Sequence, residues 1–253
     1  MIVIVDAVRT AMGGFQGSLS SCTAPDLGAV AIKEVVARAG LTANDIDEVI
    51  MGCVLPAGLK QGPARQAMRQ AGLPDSTGAT TINKICGSGM KAVMQAADAI
   101  KAGSAEIVVA GGMESMSNAP YLMDKARAGF RMGHGKVTDH MFQEGLEDAE
   151  TGLSMGVLAQ EMADKKGYTR EQQDDYAIGS LNKAVTAVQQ GFFKDEIVPV
   201  TVSTRKGDVV VEQDEQPLNA KVDKIPTLRP AFKKDGTITA ANASSISDGA
   251  SAL

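Results

Sequence analysis

The sequence predicts an α/β fold whose β-sheet is mixed but mainly parallel and is flanked by helices. Short apolar runs such as Ile2–Val5 and 49–54 lack regular polar alternation, which is typical of strands buried on both faces. Segments with helical spacing of apolar residues separate these runs, as in chains that form parallel sheets. The composition supports a globular protein, because 44% of the 253 residues are hydrophobic and 22% are charged.

The predicted elements of the first part of the chain follow in order. Ile2–Val5 is predicted to be a first strand that is buried on both faces. A helix is predicted from Pro25 to about Ala39, where a glycine follows it. The remaining predictions are a strand over 49–54, a short helix over 63–71, a strand over 79–85, a helix over 88–102 and a strand over 105–110. The Gly111-Gly112 pair that follows is interpreted as a tight turn.

Residues 113–240 are predicted to form an α+β loop domain inserted into a core of residues 1–112 and about 241–253. Residues 113–153 show no sustained period, and long irregular segments in compact proteins are usually functional. Thr169 and Gln172 have the spacing of a capping box. The insertion is further predicted to contain helices over 155–166 and 171–190, a β-hairpin over 197–203 and 208–212, and a strand that begins at 237.

Charge and motif content argue against several classes of protein. The net charge of −5 and the lack of a basic cluster disfavour nucleic acid as a partner. Three scattered cysteines favour a reducing, cytoplasmic setting over a disulfide framework. No metal-ligand spacing, dinucleotide fingerprint, phosphate loop or membrane-length apolar stretch occurs, so neither a metal site nor a membrane partner is predicted. His134 and His140 are interpreted as solvated loop residues.

Cys86 is the strongest candidate for a nucleophile. The strand over 79–85 leads into it, Gly87 and Gly89 permit a tight bend, and the helix over 88–102 follows at once. That helix is apolar around most of its circumference, which predicts a buried helix. Unpaired N–H groups at a helix N-terminus favour a thiolate, the nucleophilic form of cysteine. A small buried hydrophobic role is the alternative interpretation of Cys86, and the residues themselves leave both open.

Several motifs in this order resemble the thiolase family, and most of all its acetyl-CoA acetyltransferases. They are Val8-Arg9-Thr10, Asn83-Lys84-Ile85-Cys86-Gly87-Ser88-Gly89, residues 111–121, Leu228-Arg229-Pro230-Ala231-Phe232, Asn242-Ala243-Ser244 and Asp248-Gly249. The resemblance covers essentially the whole chain and implies a thiolase-like N-terminal domain. It also implies that the catalytic domain that would follow in the family is absent from these 253 residues.

The resemblance further implies an activity. Cys86 would accept an acyl group from acetyl-CoA, and two acetyl-CoA molecules would give acetoacetyl-CoA and CoA, or the reverse thiolysis would occur. A coenzyme A thioester would be the substrate, with no permanently bound cofactor. The family pattern places five residues along the pantetheine channel, namely Leu146, Met155, Phe232, Ala240 and Ser244. The segment 121–133 would tie subunits into a homotetramer, a dimer of dimers.

Three positions depart from the family pattern. Ser154 stands where many acetoacetyl-CoA thiolases carry histidine, Leu218 where some carry arginine, and Ala11 where proline is common. Ser154 keeps a 3-ketoacyl-CoA thiolase of fatty-acid β-oxidation as an alternative function. A non-catalytic acyl-CoA-binding or assembly module is a second alternative. The family's later asparagine, histidine and second cysteine are missing, so the chain is expected to be incomplete for turnover and to self-associate through helix 88–102.

Overall fold

A seven-stranded mixed sheet forms the centre of the computed structural model, which describes residues 1–253. The strands are β1 (Val8–Thr10), β2 (Gly13–Gly14), β3 (Glu48–Gly52), β4 (Gly78–Ile82), β5 (Val108–Ser115), β6 (Tyr121–Met123), β7 (Val137–Asp139), β8 (Ile197–Val198), β9 (Val200–Thr204), β10 (Gly207–Val211) and β11 (Ser247–Ala252). The helices are α1 (Ala24–Arg38), α2 (Pro63–Gln70), α3 (Ser88–Ala102), α4 (Met155–Lys166), α5 (Arg170–Gln190) and α6 (Glu215–Asn219). None of the helices combines the length and apolar character needed to cross a bilayer.

The order of strands in the central sheet is β4-β3-β5-β11-β1-β8, and β2 pairs with β11. β3 pairs in parallel with both β4 and β5, and β1 pairs in parallel with β8. β11 runs antiparallel to its neighbours β1, β2 and β5. The predicted fold class, a mainly parallel mixed sheet with flanking helices, is therefore confirmed.

The two faces of the sheet are covered unequally. α1 packs against β5 and β11 on one face, and α2 packs on α1. The main cluster of 26 buried apolar residues includes Leu27, Ile32, Met51 and Met68 from these elements. α3 covers the other face through Ala92 and Ala96, within a cluster of only four buried residues.

The prediction that α3 is buried is wrong within this chain. Its bounds, Ser88–Ala102, match the predicted helix, and Gly103 caps it in a left-handed conformation. Met90 and Met94 nevertheless expose 69% and 51% of their surface. The reason is that α3 is the outer layer on its face of the sheet, so only its inner stripe is covered.

The predicted first strand at Ile2–Val5 is also wrong. These four residues are exposed and lie outside any strand. The antiparallel register sets Val8 opposite Ala252 and Arg9 opposite Ser251. Residues before Val8 consequently extend past the end of β11, where no described strand supplies backbone partners.

Most helices agree with their predicted bounds. α1, α2, α4 and α5 begin and end within one or two residues of the predicted positions. The capping box also forms, because the Thr169 hydroxyl accepts from the Gln172 N–H at 3.2 Å and the Gln172 side chain accepts from the Thr169 N–H at 3.0 Å. Ser154 caps α4 in a similar way by accepting from Val157 N–H at 3.3 Å.

Two predictions about backbone conformation fail for identifiable reasons. Gly111-Gly112 is no turn, because both residues lie inside β5, which continues to Ser115. No strand forms at Thr237, because the side-chain oxygen of Gln160 accepts from the N–H groups of Thr237 and Ile238 at 2.8 and 2.9 Å. A side chain thus replaces the strand neighbour that the sequence pattern implied.

The segment between β5 and β11 carries smaller elements. β6 pairs with β7, and β9 forms a hairpin with β10 around a turn at Arg205-Lys206. A π-helical turn spans Met141–Leu146. β8, at the start of the predicted hairpin, instead joins the central sheet beside β1. The limits of an inserted domain at 113 and 240 stay a prediction.

We expect the exposed face of α3 to drive self-association. The double substitution Met90→Gln with Met94→Gln removes two large apolar side chains from that face without touching the buried alanines, and it should shift the chain toward more slowly sedimenting species. Sedimentation velocity over a concentration series measures the shift. Tyr176→Gln on α5, where the side chain is 81% exposed, is the matched control and should leave the distribution unchanged. An unsubstituted chain that stays monomeric at every concentration would contradict this expectation.

Candidate active site

Two glycines, Gly52 and Gly112, allow the N-terminal end of α3 to lie directly on the sheet. A Cβ at Gly52 in β3 would stand 2.6 Å from the Ser88 Cβ and 2.8 Å from the Gly89 nitrogen. A Cβ at Gly112 in β5 would stand 3.4 Å from the Gly89 Cα. Because real side chains do not fit at the shorter of these distances, the glycines fix how closely α3 approaches β3 and β5.

The loop between β4 and α3 is strained at Ile85. This residue has φ of 49°, a left-handed conformation that β-branched side chains rarely adopt. Ser88 stabilises the bend, because its hydroxyl donates to the Ile85 carbonyl at 2.6 Å and accepts from Lys84 N–H at 2.8 Å. The side-chain oxygen of Asn83 accepts from Ile85 N–H at 2.9 Å.

Cys86 lies at the top of this bend. It follows the strained Ile85 and precedes Gly87, the N-cap of α3. The thiol is free and the residue is exposed, so the small buried hydrophobic role considered above does not apply. An exposed cysteine at a helix start is accessible to an electrophile and lies at the positive end of the helix dipole.

The five residues predicted to contact a coenzyme A thioester occupy three segments. Leu146 ends the π-helical turn, Met155 begins α4, and Phe232, Ala240 and Ser244 lie in the long connection before β11. All five are at least partly exposed. The Phe232 ring lies so close to Gly156 that any Cβ there would overlap it, so the structure brings Phe232 to the start of α4 beside Met155. Their role as ligand contacts stays a prediction.

The sequence interpretation missed a pair of polar residues, the buried His140 and the partly buried Glu114, that both contact the segment leaving β3. His140 is only 1% exposed, so its interpretation as a solvated residue is wrong, whereas His134 is exposed. The His140 Nε2 accepts from Ala57 N–H at 3.4 Å, and the buried Nδ1 has no hydrogen-bond partner. The exposed Glu144 carboxylate lies 3.6 Å from that Nδ1. The apolar Met141 beside His140 is the only local signal of burial.

Glu114 is the acidic member of this pair. Its carboxylate accepts from Val54 N–H at 2.7 Å and from Leu55 N–H at 3.0 Å. Burial raises the pKa of Glu114, while these two hydrogen bonds and the nearby His140 act in the opposite direction. A carboxylate that accepts two adjacent backbone N–H groups fixes the loop that follows β3.

The other two cysteines are unsuited to nucleophilic chemistry. Burial, followed by the negative charge of Glu114, raises the pKa of the Cys53 thiol to about 12. Burial also raises the pKa of Cys22, with Asp26 contributing in the same direction. No three His, Cys, Asp or Glu side chains converge in a way that would hold a metal ion.

The close approach of α3 to the sheet gives a testable stability difference. Gly52→Ala should destabilise the chain by about 1–3 kcal/mol, because the added Cβ meets backbone atoms of α3 that cannot move independently. Gly179→Ala in α5 is the control, since no atom lies within 4 Å of the added Cβ and alanine favours a helix by about 0.5–1 kcal/mol. Urea unfolding midpoints measure both, and equal midpoints for the two variants would contradict the packing argument.

The three thiols should differ sharply in reactivity. Iodoacetamide at pH 8 should alkylate Cys86 first, because it is exposed, whereas Cys53 stays a buried thiol at any pH well below 12. Intact mass and peptide mapping identify the alkylated residue. Repeating the reaction in denaturant should label all three cysteines. Labelling of Cys53 before Cys86 in the folded chain would contradict the geometry.

Comparison with known proteins agrees with this arrangement. The family profile described as the N-terminal domain of thiolase matches residues 2–253. Acetyl-CoA acetyltransferases of Pseudomonas aeruginosa and Escherichia coli are 51% and 53% identical to this chain, covering 100% and 99% of it and 65% and 64% of their own lengths. The chain therefore spans about two thirds of the length of these curated relatives.

A solved structure gives the same result for the fold. The Acat5 thiolase from Ascaris suum, in complex with coenzyme A, superposes with a TM-score of 0.92 at 44% identity. The alignment covers 98% of this chain and 64% of that one. With a family profile spanning nearly all residues, relatives near 50% identity and a matching fold, this chain belongs to the thiolase family.

Proposed function

We propose that this chain supplies the acyl-accepting part of an acetyl-CoA C-acetyltransferase. The observation that carries the proposal is the exposed Cys86 on a strained loop at the start of α3. The name shared by the bacterial relatives, acetyl-CoA acetyltransferase, supports acetyl-CoA as the substrate. The chain spans about two thirds of those relatives, so the activity belongs to a longer assembly of which these residues hold the nucleophile.

The first half-reaction follows from the chemistry of a thiolate. The Cys86 sulfur attacks the thioester carbonyl carbon of acetyl-CoA, and a tetrahedral oxyanion forms. Collapse breaks the bond to the coenzyme A sulfur, which leaves as a thiolate and takes up a proton, and acetyl-Cys86 remains. The positive end of the α3 dipole favours the negative charge that is present before and during this step.

The second half-reaction would consume the acetyl group. The carbanion formed at the methyl carbon of a second acetyl-CoA attacks the acetyl-Cys86 carbonyl carbon, which gives acetoacetyl-CoA and releases the Cys86 thiolate. Thiolysis is the same sequence in reverse. Removing the proton from that methyl group requires a base, and neither described histidine lies on the Cys86 loop. The isolated chain is accordingly proposed to acylate without completing turnover.

Coenzyme A is proposed to lie along Leu146, Met155, Phe232, Ala240 and Ser244. The contact of the Phe232 ring with Gly156 supports this, because it creates an apolar surface beside Met155. An apolar wall of this kind suits the uncharged pantetheine arm rather than the phosphates. The coenzyme A bound to the Ascaris suum thiolase supports the same ligand class.

Assembly and location complete the proposal. The segment 121–133 is proposed to join subunits into a homotetramer, because it carries several exposed apolar side chains, including Tyr121 and Met132. The protein is proposed to act in fatty-acid metabolism and to be located in the cytoplasm. The three free cysteines support a reducing environment.

Brief exposure of the chain to acetyl-CoA should add the mass of one acetyl group, and peptide mapping should place it on Cys86. The physical reason is that the thioester is activated and Cys86 is the only exposed thiol. Cys86→Ser should remove the adduct, because a hydroxyl is a far weaker nucleophile. An acetyl group that persists in Cys86→Ser, or the absence of any adduct at Cys86 in the unsubstituted chain, would contradict the proposal.

A further inference from the structure

A partly buried carboxylate and the nucleophile loop are joined by a short series of hydrogen bonds. Glu114, in the middle of the structure on β5, accepts from the consecutive N–H groups of Val54 and Leu55 at 2.7 and 3.0 Å. These residues belong to the segment that leaves β3, next to the strand that leads to Cys86. Hydrogen bonds to these two consecutive N–H groups fix both the position and the orientation of the backbone at Val54.

The backbone at Val54 contacts the nucleophile loop directly. The Val54 carbonyl accepts from the Asn83 side-chain amide at 3.4 Å. The side-chain oxygen of the same Asn83 accepts from Ile85 N–H at 2.9 Å. Asn83 therefore joins the loop after β3 to the strained residue before Cys86, and its amide orientation is set by a donor on one side and an acceptor on the other.

The far side of the same segment is held by His140 and its neighbours. His140 Nε2 accepts from Ala57 N–H at 3.4 Å. Leu55 packs on the π-helical turn, where its Cδ2 lies 3.5 Å from the position of a Cβ on Gly145. The segment 53–57 is thus fixed at both ends, so a change at Glu114 is transmitted to Asn83 rather than absorbed by loop movement.

We propose that Glu114 is a positioning residue for Cys86, acting through the Val54 peptide and Asn83 to hold Ile85 in its left-handed conformation. The inference rests on the proposed function, in which Cys86 is the nucleophile. Glu114 makes no contact with substrate in this role. It stabilises the strained bend that aims Cys86 at the start of α3, and strain of this kind persists only where surrounding contacts over-determine it.

The role requires a carboxylate at position 114. Its two oxygens meet two N–H donors, and the Cys53 thiol also donates to one of them at 3.6 Å, whereas glutamine offers one oxygen and directs an NH₂ group at the other N–H donor. Glu114→Gln therefore preserves the volume of the side chain and removes one of the two bonds. If Glu114 acted on Cys86 only through its charge, Glu114→Gln would make Cys86 more reactive, because loss of a nearby negative charge favours a thiolate. A positioning role predicts the opposite, a less reactive Cys86.

The test is the pH profile of Cys86 alkylation by iodoacetamide, followed by peptide mapping in the 253-residue chain. Glu114→Gln should lower the rate at pH 7.5 about fivefold, the factor expected when one net hydrogen bond is lost, and should move the profile to higher pH. Glu215→Gln is the control for loss of a carboxylate charge away from the Cys86 loop, because one Glu215 oxygen, Oε2, accepts from the N–H groups of Gly14 and Ser18, both at 2.9 Å. That control should leave the Cys86 profile unchanged.

A profile that is unchanged in Glu114→Gln, or that moves to lower pH, would overturn the inference. Asn83→Ala provides a second and independent test, because its side chain is exposed and its removal leaves the core intact. It should reproduce the slower alkylation, and Glu114→Gln should add nothing further in the Asn83→Ala background. Effects that multiply in the double variant, or an Asn83→Ala chain with the original profile, would overturn the inference even if Glu114→Gln does not fold.

Alkylation by iodoacetamide involves no coenzyme A, so the two proposals fail in different ways. A chain whose Cys86 is alkylated with the predicted dependence on Glu114, but takes up no acetyl group from acetyl-CoA, would contradict the proposed function alone. A chain that is acetylated on Cys86 equally well with glutamate or glutamine at position 114 would contradict only the positioning role.

Discussion

The close contact between α3 and the sheet is the constraint on which the rest of the structure depends. A side chain at Gly52 would overlap the helix start, and one at Gly112 would press on it at 3.4 Å, so these two glycines allow the helix to lie against β3 and β5. The helix start is thereby held against two strands, and the residues before it must turn within a few bonds. The left-handed conformation of Ile85 is the local cost of that turn, about 1–3 kcal/mol for such a residue.

Polar groups also support the segment that leaves β3. Cys53 and Leu55 are buried there, so the backbone N–H groups of this segment need partners from the protein. Glu114 and His140 supply them, at the cost of desolvating an acid and an imidazole. Their proximity, with Cys53 between the same elements, makes this polar cluster part of the support of the site rather than an accident of packing.

Local signals predicted the helices well because the information lies in neighbouring residues. Apolar spacing and capping groups such as Thr169 and Gln172 set the bounds of α5, and the same reasoning located the turn at Cys86. Strand pairing depends on partners far along the chain, which is why Ile2–Val5 and the segment after Thr237 were predicted incorrectly. The burial of His140 and the role of Glu114 likewise depend on contacts with residues 54–57, which no local pattern reveals.

The position of β11 has a consequence for how the chain folds. β11 lies between β5 and β1, so Val8 finds its partner at Ala252, close to the opposite end of the 253 residues. During synthesis the β4-β3-β5 unit can pair early, whereas β1 has no antiparallel neighbour until β11 emerges. Such pairing between distant segments raises the contact order and slows folding. The part of the sheet beside the Cys86 loop can therefore pair before β1 and β11 meet, and the nascent chain can expose the Cys86 thiol on a loop that has already formed.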